Sequence, residues 1–266
     1  MIKKSMLVTG ATNGTGFAIA ERFAKEGYDI FITSRTAENA MKAAKIIADT
    51  YKVFAKGYAL DVTGEETVIS VFNDIKNMGY LIDCVVLNAA NLGIGMDFFK
   101  VKYDDFMEVI NTNIGWNFTI ARQAALQMKE RNRGSIVFIN SNTAYRAIPN
   151  RSAYSASKAG VLGLARSMAL DLGKYGIRVN CVLPGMIKTS RWERNDNNCQ
   201  NAPSTYTPIG DIAEFADIAN AAYYFGSDES RNTTGAELVV DGGNMIQLYP
   251  LIPKQPKTGG SNYDIE

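Results

Sequence analysis

The chain contains no histidine. That absence removes a Ser-His-Asp triad, a histidine-ligated zinc site and any imidazole general base. Acid/base chemistry would have to run through Tyr, Lys, Asp, Glu or Cys. Cysteine is scarce as well: Cys84, Cys181 and Cys199 are odd in number and far apart. They read as free thiols in a reducing compartment, with Cys84 and Cys181 in apolar, core-forming runs. Neither sign of charge is in excess, with Lys+Arg at 28 and Asp+Glu at 27, so there is no electrostatic footprint for nucleic acid or an anionic membrane. No apolar run approaches the ~20 residues that a spanning helix needs. The first residues carry positive charge without the long apolar segment and small-residue cleavage site of a signal peptide. The expectation is a cytoplasmic protein.

What is present is a regular alternation of short apolar strands and amphipathic helices over 266 residues, 46% of them apolar. Strands are expected at Lys4 to Thr9, Asp29 to Thr33, Val53 to Leu60, Leu81 to Leu87, Ser135 to Asn140, Ile177 to Leu183 and Ala236 to Val240. Helices are expected after Gly16, over 37–50, 64–78, 103–131, 152–175 and 214–226. The fourth strand is apolar along almost its whole length, as in a parallel sheet covered on both faces. The pattern predicts one α/β domain over 1–249, a doubly wound parallel sheet of about seven strands with helices on both sides. The pattern lapses over 188–207, where a polar stretch with Trp192 and Tyr206 follows a strand end and reads as a lid. Residues 250–266 carry three prolines and two glycines and read as a tail.

Three stretches carry chemistry. The first strand runs into Thr9-Gly10-Ala11-Thr12-Asn13-Gly14-Thr15-Gly16 and then a helix. Strand, glycine turn and helix N-terminus make an anion site for a pyrophosphate, although a plain tight turn has the same composition. The second strand ends at Ser34-Arg35, about 20 residues past the glycine turn, where dinucleotide folds meet the adenosine ribose. An acidic residue there would favour NAD, whereas a guanidinium suits the 2′-phosphate of NADP, so NADP is preferred. The third stretch is Tyr154-Ser155-Ala156-Ser157-Lys158. Four residues on a helix put the phenol and the ammonium on one face, where the cation would lower the phenol pKa toward the range of an acid/base group. On its own the pair is equally at home on any amphipathic helix.

Together these residues resemble the short-chain dehydrogenases/reductases in their ordinary single-domain, Rossmann-type form. The resemblance covers about residues 4–246 and rests on Thr9-Gly10-x-x-x-Gly14-x-Gly16, Asp61-Val62, Asn88-Ala89, Ser141 thirteen residues before Tyr154, Tyr154-x-x-x-Lys158, Pro184-Gly185 and Val240-Asp241-Gly242-Gly243. It implies an NADP(H)-dependent ketoreductase or alcohol dehydrogenase with Asn113, Ser141, Tyr154 and Lys158 as its catalytic set. In that set Tyr154 moves the proton, Lys158 tunes it and holds the nicotinamide ribose, Ser141 binds the substrate oxygen, and Asn113 holds a water that links Lys158 to solvent.

The resemblance assigns the cofactor to Gly10, Thr12, Asn13, Gly14, Thr15, Gly16, Ser34, Arg35, Asp61, Val62, Asn88, Ala89, Pro184, Gly185, Ile187 and Thr189, besides Tyr154 and Lys158. The substrate pocket is expected at Tyr145, Arg146, Met186 and Trp192, with a small-molecule substrate and no metal. Alternatives are a 3-oxoacyl-thioester reductase served by an acyl carrier protein through Arg131, Arg133 or Lys174, a steroid or polyol dehydrogenase, and a redox sensor with little turnover. The wide apolar stripe of 152–175 suggests a homodimer or homotetramer formed through the 103–131 and 152–175 helices. The chain departs from the family pattern in two places: Leu87-Asn88-Ala89-Ala90 stands where Asn-Asn-Ala-Gly is usual, and 23 residues follow Gly243.

Overall fold

The computed structural model describes residues 4–60, 64–189 and 205–249. Seven strands form one parallel sheet: β1 (Ser5–Thr9), β2 (Asp29–Ser34), β3 (Ala55–Ala59), β4 (Cys84–Leu87), β5 (Gly134–Ile139), β6 (Ile177–Pro184) and β7 (Glu237–Val240). Their spatial order is β3-β2-β1-β4-β5-β6-β7, and every adjacent pair is parallel. The helices are α1 (Gly14–Lys25), α2 (Ala37–Tyr51), α3 (Glu65–Asn77), α4 (Tyr103–Ile110), α5 (Asn117–Glu130), α6 (Ser152–Gly173) and α7 (Phe215–Gly226).

Strand periodicity explains the layers. Met6 and Val8 of β1 and Cys84 and Val86 of β4 face one side, where they join Ile19, Phe23, Ile47 and Phe225 in a core under α1, α2 and α7. Leu7, Val85 and Leu87 point the other way, toward Val68, Phe72, Ile120 and Leu162 of α3, α5 and α6. A sheet buried on both faces selects apolar residues at every position of its central strands, and β4 has all four buried. Cys84 and Cys181 are free thiols in these cores, as expected. Burial raises both, Cys181 to about 12, so neither is a reactive thiolate near neutral pH.

The strand order sets the crevice. The chain works outward through β1, β2 and β3, then returns to the other side of β1 with β4. Between the C-terminal ends of β1 and β4 the connections diverge, and a ligand can enter there.

The element boundaries match the sequence reading within a few residues, with one difference in kind. The long helix expected over 103–131 is α4 and α5 joined by a π-helical turn, Asn111–Trp116. A π turn carries an extra residue and opens the carbonyl ladder. Here Asn117 Nδ2 donates to the freed Asn113 carbonyl at 2.9 Å, and the Thr119 hydroxyl donates to Gly115 O at 3.1 Å.

Gly57 of β3 lies under α2, and a Cβ built on it would stand 2.2 Å from the Ala40 carbonyl carbon and 2.4 Å from Met41 N. Backbone cannot move aside as a side chain does. Gly57→Ala is therefore expected to cost about 1–3 kcal/mol by overpacking, read as a lower urea midpoint. A wild-type midpoint would mean that α2 rides further from β3 than this packing requires.

Candidate active site

The crevice is closed at its base by one exchange of hydrogen bonds. The Thr9 hydroxyl oxygen accepts the backbone N–H groups of Asn88 and Ala89, both at 2.9 Å. Asn88 Nδ2 answers by donating to the carbonyls of Thr9 at 3.0 Å and Gly10 at 3.1 Å. The glycine turn then climbs over this base with Gly10 and Gly14 at φ of +62° and +55°, in the left-handed region that glycine enters without strain. At Gly16 a Cβ would fall 2.5 Å from Gly10 O and 2.6 Å from Asn88 Nδ2. The side chain of Asn13, at the N-cap of α1, makes no capping bond, so the first amides of α1 are left to another acceptor. A cradle kept free of Cβ atoms at the positive end of a helix fits a dinucleotide pyrophosphate.

Gly10, Thr12, Asn13, Gly14, Thr15 and Gly16 all lie on this turn, with Asn88 and Ala89 opposite. Ser34 ends β2 with its hydroxyl turned back to the main chain of Thr36. Arg35 is exposed just beyond and forms no ion pair among the described residues. Asp61 and Val62 lie outside the described residues. Thr9 was missed as a site residue. Its signal was a hydroxyl at a strand end where apolar residues otherwise run to the turn.

The candidate proton-handling groups lie just after β5, on α6 and in the π turn. Ser141 follows β5, is buried, and caps a short turn by accepting Thr143 N–H at 3.2 Å. Tyr154 is half-buried on the first turns of α6, and Lys158 lies one turn further in with its Nζ 5.6 Å from the phenol ring centre. Lys158 Nζ donates to Ile139 O at 3.0 Å, and Asn140 Nδ2 donates to the Lys158 carbonyl at 3.1 Å. Asn113, fully buried in the π turn, accepts Asn91 N–H at 2.7 Å through Oδ1. Its Nδ2 donates to Asn91 O and to Ser157 Oγ, both at 2.9 Å. The carboxamide thus pins the segment after β4 to α6, while the Asn113 main-chain carbonyl accepts Asn117 Nδ2.

The electrostatics differ from the expectation that Lys158 lowers the phenol. Burial dominates and holds Tyr154 above its ordinary value, opposed by the Ser141 hydroxyl, the Arg151 charge and the Thr143 hydroxyl. Burial also depresses Lys158 to about 8, with Cys181 acting weakly in the opposite sense. Desolvation penalises phenolate and ammonium alike, so it raises the phenol and lowers the amine, and the ammonium becomes the more acidic of the two.

A cavity opens beside Tyr154, walled by Leu92, Ile94, Met96, Val101 and Val109, with Asp105 and Arg151 as its charged members. The residues expected to line the pocket are placed differently. The Tyr145 hydroxyl donates to Glu237, which also pairs with Arg166, and Arg146 NH1 donates to Gln247 O at 3.2 Å. Met186 is half-buried after β6, its carbonyl accepting Ala213 N–H at 3.2 Å. Trp192 and most of the 188–207 lid lie outside the described residues. Pro184 ends β6. A Cβ on Gly185 would stand 2.5 Å from Asp241 Cβ, so the closing Asp241-Gly242-Gly243 turn holds this segment in place. Ile187 bridges to Ala213, and Thr189 follows, half-buried. The 92–101 wall was legible only as apolar residues in a loop, a signal shared by many loops.

Residues 10–244 match the profile of the family described as Enoyl-(Acyl carrier protein) reductase. The chain is 30% identical over 245 residues to the 3-oxoacyl-[acyl-carrier-protein] reductase FabG of Chlamydia trachomatis, covering 91% of this chain and 98% of that protein. Among solved structures, ElxO with NADP bound superposes with a TM-score of 0.85 at 30% identity, over 92% of this chain and all of that one. NAD+-bound xylitol dehydrogenase superposes with a TM-score of 0.81 at 31% identity, over 90% and 98% of the two chains.

The depressed Lys158 has a consequence for stability. In the unfolded chain the amine holds its proton to about pH 10.5, but in the folded protein it releases it near 8. Between those values the unfolded state binds more protons, so unfolding becomes harder as pH rises. Compared with Lys158→Met, the wild-type protein should gain up to about 3 kcal/mol from pH 8 to 10.5. Parallel urea midpoints for the two proteins across that window would show that the ammonium is not desolvated.

Proposed function

The chain belongs to the short-chain dehydrogenase/reductase family and is an NAD(P)-dependent oxidoreductase, and from that premise we propose that it interconverts a carbonyl and a secondary alcohol with NADP(H), Tyr154 being the acid/base. The observation that carries the reading is that the Tyr154 phenol, which lines the cavity, has the Lys158 ammonium and the Ser141 hydroxyl beside it, at the same C-terminal edge of the sheet as the phosphate cradle. The glycine turn and the α1 N-terminus would hold the pyrophosphate, Asn88 and Ala89 would border the adenosine side, and Lys158 would reach the nicotinamide ribose. When bound, the cofactor supplies the hydride that the protein has no group to provide.

The chain's own residues handle the proton. Tyr154 Oη donates to the substrate oxygen as the carbonyl is reduced, and Ser141 Oγ hydrogen-bonds the same oxygen and stabilises its developing charge. The phenol is then recharged by the Lys158 ammonium, which regains its proton from solvent. A phenol held above its ordinary pKa stays protonated at neutral pH, which suits a proton donor better than a base. NADP is the favoured dinucleotide because Arg35, exposed and unpaired among the described residues, stands where a 2′-phosphate would lie. ElxO carries NADP and xylitol dehydrogenase NAD+, so the same fold accommodates both, and the residue at this point decides.

The apolar wall of Leu92, Ile94, Met96, Val101 and Val109 supports a substrate with a hydrocarbon arm over a polyol. Together with the likeness to FabG it favours, as a second reading, a 3-oxoacyl thioester. Leu170 of α6 is 84% exposed, and Phe118 and Leu126 of α5 are exposed as well. Apolar residues left open on these two helices support a homo-oligomer formed through them.

Initial rates with NADPH and NADH should favour NADPH over a panel of aliphatic ketones and an acetoacetyl thioester. Tyr154→Phe should lower turnover about 10²–10⁴-fold while NADPH fluorescence titration still reports binding. Near-normal turnover in that variant would remove Tyr154 from the mechanism. In light scattering, Leu170→Glu should reduce the particle mass toward that of one chain, and an unchanged mass would place the interface elsewhere.

A further inference from the structure

Arg151 stands three residues before Tyr154 and immediately precedes α6, and both line the cavity. Its NH1 donates to two backbone carbonyls of the segment after β4, Leu92 O at 2.9 Å and Gly93 O at 2.6 Å. Next to it, Asn150 takes a left-handed backbone at φ +61°, and its carbonyl accepts Met96 N–H at 3.3 Å. Gly95 lies against the guanidinium, where a Cβ would be 3.5–3.7 Å from NH2, Cζ and Nε. No carboxylate pairs with Arg151 among the described residues; its partners are neutral carbonyls, so its charge is not cancelled by an ion pair. Both bonds come from one terminal nitrogen held in the guanidinium plane, and a lysine ammonium would end one atom short of it.

We propose that Arg151 is a positioning residue of the active site, clipping the 92–95 wall to the start of the catalytic helix and keeping an uncompensated positive charge beside the Tyr154 phenol. Neither half follows from the Tyr-x-x-x-Lys pair. Lys158, the neighbouring cation expected to favour phenolate, is itself depressed by burial and spends its proton on Ile139 O. Arg151 is the cation that opposes the burial of Tyr154. The other groups bearing on the phenol are the Ser141 and Thr143 hydroxyls from the end of β5, Lys158 on α6 and Asp105 of α4 across the cavity. The segment after β4 brings no charge of its own to the cavity.

The inference uses the proposed role of Tyr154 only to choose which group to watch, and it is tested without turnover. The phenol is titrated in the cofactor-free protein by NMR of 13Cζ-labelled tyrosine, with the Tyr154 signal assigned from Tyr154→Phe. Amide exchange over residues 91–96 is followed in parallel. Arg151→Gln removes the charge and is too short to reach the two carbonyls, so it should raise the Tyr154 pKa by about one unit and speed exchange over 91–96 about tenfold. Arg151→Lys keeps the charge but ends one atom short of NH1, so it should leave the phenol within a few tenths of a unit and speed exchange less than Arg151→Gln does. Identical phenol titration in all three proteins overturns the electrostatic half. Unchanged exchange in Arg151→Gln overturns the clip. Either result would leave the Tyr154→Phe turnover experiment standing on its own.

Discussion

The site depends on how two diverging chain segments are held together where nothing in the sheet ladder can hold them. Past Thr9 and Leu87 the strands β1 and β4 part. The amides of Asn88 and Ala89 would otherwise face a crevice with no partner, at a cost of about 1–3 kcal/mol for each buried donor left unmade. One threonine hydroxyl accepts both, and one asparagine carboxamide returns two donations to Thr9 and Gly10. The hydrogen-bond capacity of the crevice floor is thereby spent within the protein. What remains open above it is the helix N-terminus and the glycine backbone, the parts suited to phosphate. The same logic recurs at Asn113, whose carboxamide is used up by Asn91 and Ser157. Asparagine, with donors and an acceptor on one short planar group, is suited to tie a loop to a helix in a dry interior.

Burial competes with charge at the Tyr154–Lys158 pair, and burial wins. A lysine beside a tyrosine suggests a lowered phenol pKa when only spacing is considered. In the folded chain both groups are desolvated, the ammonium is drawn to a carbonyl, and the phenol stays above its ordinary value. The protein meets that cost with polar groups from two places: Ser141 and Thr143 beyond β5, and Arg151 at the start of α6. A protein without histidine has no side chain whose ordinary pKa lies near neutrality. Here a lysine displaced by burial to about 8 comes closest to that place.

The sheet, its order of elements and the Gly10 to Gly16 turn were legible in the sequence because each rests on local rules. Strand alternation, glycine at left-handed positions and a helix beginning after the turn need no knowledge of distant residues. Ser141, Tyr154 and Lys158 were legible from spacing, and the structure brings them together. The rest was hidden because it depends on tertiary contact. Thr9 acts only across the gap to Asn88. Arg151 acts only because the loop after β4 folds back over α6. The hydroxyl of Tyr145 is claimed by Glu237, a residue 92 positions away. The π turn was missed because Asn111 to Trp116 keeps a helical composition, and the added residue shows only in the hydrogen-bond ladder.

That π turn sets the rotational phase between two helices that would otherwise be one. Each residue advances a helix by about 100°, so an added residue turns everything before it relative to everything after it. α5 can then lie against α3, while α4, on nearly the same axis, turns Asp105 and Val109 toward α6 and the cavity. Removing one residue from Asn111–Trp116 would leave a better helix by every local measure and would still be a loss. It would swing the cavity wall around its own axis and take Asn113 away from Asn91 and Ser157. The irregularity works as a gear offset, and the length of this segment is under tighter constraint than most of its side chains.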